Sequence, residues 1–109
     1  MTVLDLLQKE DFTALNAADK NRAVTGCYIG DLLSFVMGRA KENDLWITIM
    51  SNINVAAVAS LADVSAVILA EGVTPDDDLL TAAKQKQINL ILTNLTAYEA
   101  AIKISRLLK

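Results

Sequence analysis

From Arg22 to the end of the chain, apolar runs of strand length alternate with segments of helical spacing, and this alternation constrains the fold more than any other feature. Strands separated by helices must run parallel, because each crossover returns the chain to the same end of the sheet. A parallel sheet then needs helices on both faces. The expected class is α/β, a three-layer α/β/α sandwich with a mostly parallel sheet of about five strands.

The segments read as follows. Thr2 to Glu10 places Val3, Leu6 and Leu7 on one side of a short helix, and Phe12 to Leu15 is a short strand. Asn16 to Asn21 is polar and aperiodic, a loop. Arg22 to Ile29 carries Val24, Thr25, Tyr28 and Ile29 as a strand, with Gly26 allowing close backbone approach or a bulge. Asp31 is placed to cap a helix over Leu32 to Lys41, in which Leu32, Leu33, Val36 and Ala40 share a face and Phe35 lies off it. Asn43 and Asp44 turn the chain into Leu45 to Met50, a central strand. Ser51 or Asn52 then caps a helix over Val55 to Leu61 whose alanines permit close packing on the sheet. Val64 to Ala70 is the next strand. Thr74-Pro75-Asp76-Asp77 starts a helix to about Lys86, with Thr as cap, Pro in the first position and carboxylates at the positive helix end. Ile88 to Leu92 is a buried strand, and Thr96 with Glu99 has capping-box spacing for a last helix carrying Ala100, Ile104 and Leu107 or Leu108.

At 109 residues one domain over 1–109 is expected, because a second core would leave neither half enough apolar surface. A single cysteine, Cys27, cannot form an internal bridge, and in an apolar strand it reads as a buried structural thiol. The chain opens without a signal-peptide pattern, so a cytoplasmic location is expected. The apolar stretch from Val55 to Leu69 is broken by Ser60, Asp63 and Ser65 and makes a poor membrane span. A net charge of -3 supplies no electrostatic attraction for nucleic acid. With 53% hydrophobic residues, some apolar side chains are surplus to a small core and are free to face another subunit; Phe35 is the interface candidate.

Catalytic equipment is sparse. Without histidine the chain lacks the usual general base near neutral pH and the commonest metal ligand. The dinucleotide fingerprint, the P-loop and the nucleophile elbow are also missing. Asp76, Asp77 and Asp78 point in different directions at a helix start and complement the helix dipole, and no metal or cofactor is expected. The chain does not read as an enzyme. In open α/β sheets ligands bind beyond the carboxyl ends of the strands, where helix N-termini gather. Ser51, Asn52, Asn54, Thr93 and Asn94 offer uncharged polar groups there, each with two readings, helix cap or ligand contact.

The run Asn21-Arg22-Ala23-Val24-Thr25-Gly26-Cys27-Tyr28-Ile29-Gly30-Asp31-Leu32-Leu33-Ser34, followed by Leu45-Trp46-Ile47-Thr48-Ile49, by Asn54 to Leu61 and by Val67 to Gly72, resembles stand-alone bacterial DRTGG-domain proteins. The order of segments is also similar to the N-terminal domain of HPr kinase/phosphorylase. The resemblance spans about residues 20–100 and implies a regulatory or accessory module of three-layer α/β/α form. Related domains in phosphotransacetylases and CBS-containing pyrophosphatases imply a dimerising, signal-relaying role. The family's Asp-Arg pair falls at Ser51 and Asn52, and its Thr-Gly-Gly at Ala70-Glu71-Gly72, so Gly72 is the motif residue retained. Two functions follow as expectations. One is a non-catalytic interaction module, homodimeric or homo-oligomeric and coupled to a partner enzyme or kinase. The other is a sensor for a nucleotide or another phosphorylated metabolite at Ser51, Asn52, Asn54, Gly72, Thr93 and Asn94.

Overall fold

A computed structural model describes residues 1–109. Ten elements follow in the order α1 (Val3–Leu7), β1 (Phe12–Asn16), β2 (Gly26–Ile29), α2 (Leu33–Arg39), β3 (Asp44–Thr48), α3 (Asn54–Ala62), β4 (Ala66–Leu69), α4 (Asp77–Gln85), β5 (Leu90–Thr93) and α5 (Ala97–Leu108). They form one five-stranded sheet in the order β1-β5-β4-β3-β2. The β2–β3, β3–β4 and β4–β5 pairings are parallel, and β1 runs antiparallel to β5. The expected class and strand number hold.

The sheet divides the apolar interior in two. On one face α2, α3 and α4 pack Val36, Val55, Ala59, Leu79 and Ala83 against Trp46, Val67, Leu69 and Leu90. On the other, α1 and α5 bring Val3, Leu6, Ala100 and Ile104 onto Leu45, Ile47, Ile68 and Ile91. β3 and β4 are buried at every position, as strands covered on both sides must be. Each fully buried Leu or Ile contributes about 1.5–3 kcal/mol. Trp46 is fully buried, and its indole N–H donates to the Gly30 carbonyl at 2.9 Å, tying β3 to the end of β2.

Several local expectations are corrected. The strand expected from Arg22 begins only at Gly26. Upstream of it, Val24 N–H donates to the Met1 carbonyl and Val3 N–H to the Arg22 carbonyl, so residues 22–24 pair with the N-terminal segment. Gly26 is needed for close approach, since a Cβ there would lie 2.5 Å from an Asp44 carboxylate oxygen. The N-cap of α2 is Leu32, not Asp31. Asp31 instead accepts from the Thr48 hydroxyl (2.8 Å) and the Ile49 N–H (3.0 Å) and clamps the ends of β2 and β3 together. Ile53 precedes α3 in place of Ser51 or Asn52. α4 begins two residues later than expected, at Asp77, because Asp76 N–H is taken by the Ser51 carbonyl at 2.9 Å. The Thr96–Glu99 capping box forms as read, and Thr2 with Asp5 makes a second one.

Asn16, expected in a loop, ends β1. Its amide donates to the Ile88 carbonyl (2.8 Å) and the Ala83 carbonyl (3.3 Å). Buried Asn89 donates to the Asp19 and Ser65 carbonyls and accepts from Asp19 N–H. These bonds fix the β1 side of the sheet to the loops beneath it. No helix is long and apolar enough to cross a membrane.

Candidate functional site

The parallel strands finish at one end of the sheet, so Ile29, Thr48, Leu69 and Thr93 lie there. Because β1 is antiparallel, that end also receives the start of β1. The polar residues singled out in the sequence fall there in two groups.

Gly72, Thr93 and Asn94 line a cavity of about 320 Å³, together with Glu10, Asp11, Thr13, Val73, Thr74 and Leu92. Gly72 has φ +72, and a Cβ on it would stand 3.2 Å from the Asn94 side-chain oxygen. Positive φ and close approach both call for glycine here. Gly72 N–H donates to the Thr93 carbonyl at 3.0 Å, and the buried Thr93 hydroxyl accepts from Leu95 N–H at 3.2 Å. Ser51, Asn52 and Asn54 do not reach this cavity. They form the turn into α3, where the Asn52 side-chain oxygen accepts from Asn54 N–H at 2.9 Å. The Ser51 carbonyl, through Asp76 N–H, links that turn to the start of α4.

The electrostatics of this end are acidic. The cavity has Glu10 and Asp11 in its wall, Asp11 paired with Lys103 outside the lining, and no lysine or arginine lines it. α4 carries Asp77 and Asp78 in its first turn, α5 closes its own N-terminus with its capping box, and the N–H groups of Asn54, Val55 and Ala56 are taken by Asn52 and Ile53. The cavity lining offers a bare anion no cation, and the uncapped first-turn N–H groups of α4 lie among the carboxylates of Asp77 and Asp78.

A different surface stands out beside it. Of the seven residues of α2 only Val36 is fully buried. Leu32, Phe35 and Met37 are 60%, 48% and 53% exposed, and Ile29, Ile49 and Ile53 at the adjoining strand ends are similarly open. The Arg39 guanidinium lies over the Phe35 ring, 4.3 Å from its centre. Sequence reasoning found Phe35 because it fell off the helical stripe. It missed Leu32 by assigning it to the buried face, and Ile29, Ile49 and Ile53 by reading them as ordinary strand or loop residues.

Cys27 is half-buried in β2, and burial, aided by the Asp44 carboxylate, pushes its thiol up from 9.0 to about 12. It is held as the neutral thiol. No three histidine, cysteine or acidic side chains gather as a metal-binding group.

The fold is thus an open α/β sheet with a polar cavity at its strand ends and exposed apolar side chains on and beside α2. The chain belongs to the DRTGG domain family, whose sequence profile matches residues 11–107. Among solved structures it is similar to the CBS and DRTGG domains of the regulatory region of Clostridium perfringens pyrophosphatase, a structure complexed with the activator diadenosine tetraphosphate. The TM-score is 0.67 at 21% identity, covering 97% of this chain and 44% of that one. At that identity the likeness establishes a shared fold, and this chain spans less than half of the solved one. No curated protein matches it.

Proposed function

We propose that this chain is a non-catalytic regulatory module that self-associates through the surface centred on α2 and couples to a partner enzyme or kinase in the cytoplasm. The supporting observation is α2 itself. A helix that faces solvent on one side normally carries polar residues there. Here Ser34 and Gly38 are outermost, but Leu32 and Phe35 on one flank and Met37 on the other are about half exposed or more, as are Ile29, Ile49 and Ile53. Soluble monomers rarely leave apolar groups gathered in this way, and covering them is worth roughly 25 cal/mol per Å². Membership of the DRTGG family and the fold shared with an enzyme's regulatory region support the same reading.

Light scattering at protein concentrations up to tens of micromolar tests it. The wild-type chain is expected to run as a dimer or larger assembly, and Phe35→Asp to raise the dissociation constant tenfold or more by placing a charge in a desolvated centre, about 1.4 kcal/mol or above. A wild-type monomer throughout that range would overturn the proposal.

The nucleotide bound to the Clostridium relative favours a second reading, a sensor at the strand ends. Its contacts are Gly72, Thr93 and Asn94 in the cavity, extended by Ser51, Asn52 and Asn54 on the turn that the Ser51–Asp76 bond links to α4. With Glu10 and Asp11 in the wall, a nucleotide seated there turns its base or sugar inward and its phosphates to solvent. A ligand at 100 times its dissociation constant adds about 2.7 kcal/mol, and each kcal/mol raises the Tm of a domain this size by roughly 4–8 °C. A nucleotide panel in thermal unfolding should therefore show a rise of about 10 °C or more, lost in Asn52→Ala and Asn94→Ala. A flat panel sinks the sensor reading.

A further inference from the structure

β2 is an outer strand of the sheet, with only β3 beside it. Gly30 N–H donates to the Ile47 carbonyl at 3.1 Å, and in a parallel ladder alternate residues face the neighbouring strand. Tyr28 therefore turns its backbone groups toward β3, whereas Cys27 and Ile29 turn theirs to the open side. The edge upstream is already covered, since Met1 accepts from Val24 N–H at 2.8 Å. The free edge is thus Gly26–Ile29, with two outward residues placed symmetrically about Tyr28.

We propose that a second copy of this chain pairs with this edge, β2 against β2, antiparallel about a two-fold axis at Tyr28. The inference rests on the self-association proposed above and specifies its geometry. In this register Cys27 faces the partner's Ile29 and Ile29 faces the partner's Cys27, so both pairs exchange N–H and C=O bonds. All four outward N–H groups and carbonyls of the two outward residues, on each copy, then find partners. A shift by one residue sets outward groups against inward ones, a two-residue shift that pairs Cys27 with Cys27 runs the added strand toward the segment at Met1, and the opposite shift leaves Cys27 without a strand partner.

Charge is compatible with the antiparallel sense. The exposed Arg39 and Lys41 lie beside Thr25 and Gly26 at the start of β2, with Glu42 between them and Asp44, while exposed Asp31 follows its end. Antiparallel pairing brings the exposed Arg39 and Lys41 of one copy, whose charge Glu42 and Asp44 balance, toward Asp31 of the other. It also sets the two α2 helices side by side along the seam, where Phe35 and Leu32 are covered.

Cross-linking tests the register on the whole chain. In a Cys27→Ala background, Tyr28→Cys puts two thiols directly across the axis, at the short spacing of a non-hydrogen-bonded pair. Ile29→Cys separates them by two residue steps, beyond disulfide reach. With a copper–phenanthroline oxidant, Tyr28→Cys is expected to form covalent dimers and Ile29→Cys to remain unlinked. Ile29→Pro removes an outward N–H that the chain itself does not use, and it is expected to leave a folded monomer by circular dichroism and light scattering. Should Tyr28→Cys fail to fold, Ile29→Pro decides. A wild-type dimer in which Tyr28→Cys folds and stays unlinked, or Ile29→Pro remains dimeric, overturns the strand pairing and leaves the interaction module standing. A monomeric wild type overturns both.

Discussion

The two edges of the sheet are built in opposite ways. β1 departs from regular register between Ala14 and Asn16, exposes Thr13 and Leu15 singly, and has Asp11 at its start held by Lys103. Its last residue, Asn16, is bonded into the loop after α4. Irregular register, isolated side chains and charge are the usual means of keeping an edge strand from pairing with another chain. β2 differs along Gly26–Ile29: its register is regular, its residues Gly, Cys, Tyr and Ile are uncharged, and the half-exposed Leu32 and Phe35 follow it in the chain. One edge is closed by the chain's own bonds, and the other carries no such closure along Gly26–Ile29. Substitutions on the β1 side should therefore change stability and leave association alone, with the reverse at β2.

The largest effect belongs to the closed edge. Asn89 is buried and makes three bonds, to the Asp19 N–H, the Asp19 carbonyl and the Ser65 carbonyl. Asn89→Ala leaves the Ser65 carbonyl without that partner in the interior and releases residue 19 to water. A buried unsatisfied group costs about 1–3 kcal/mol, and with the lost amide packing the expected total is about 2–4 kcal/mol, a fall in Tm of roughly 8–32 °C. Asn16→Ala, at a half-buried site, should cost about 1 kcal/mol. Neither is expected to change the mass in solution, and a change in mass with either would break the contrast between the edges. The mirror image is Phe35→Asp, which should shift association tenfold or more and leave monomer stability within about 0.5 kcal/mol.

How much of this was legible depended on how local each cause was. Thr96 and Glu99 sit three residues apart and satisfy each other, so the start of α5 was readable from four letters. β3 and β4 were readable because burial on both faces demands unbroken apolar runs. The start of α4 was misplaced because Asp76 N–H is claimed by Ser51, twenty-five residues earlier, and no local pattern reports such a bond. Asp31 has the composition of a cap, but Thr48 and Ile49 reach it first. Phe35 stood out through its helical phase, whereas Ile49 and Ile53 became visible only when folding brought the ends of β2 and β3 together. The candidate polar residues were recognised by type and place. Their separation into a cavity group and a turn group depends on the paths of two loops, which composition does not encode.

The smallest effect tests the environment of the open edge through Cys27. Its thiol is pushed up to about 12, first by burial and then by the Asp44 carboxylate. The unfolded thiol loses its proton near its ordinary value of 9.0, so between the two values the unfolded state binds fewer protons than the folded one. Stability from this group is therefore complete below about 9 and declines as pH rises from there toward about 12. Thermal unfolding between about pH 8.5 and 11, across that decline, should show Tm falling more steeply for the wild type than for Cys27→Ala. Thiol-reagent labelling at pH 8.5 should be much slower in the folded chain than in denaturant, because the thiolate is the reactive form. Pairing of β2 with a second copy would bury Cys27 further, so labelling should slow again as concentration carries the chain from monomer to dimer. Rates that do not change with concentration would place the partner surface away from β2 and leave the apolar face of α2 as the part of the comparison that survives.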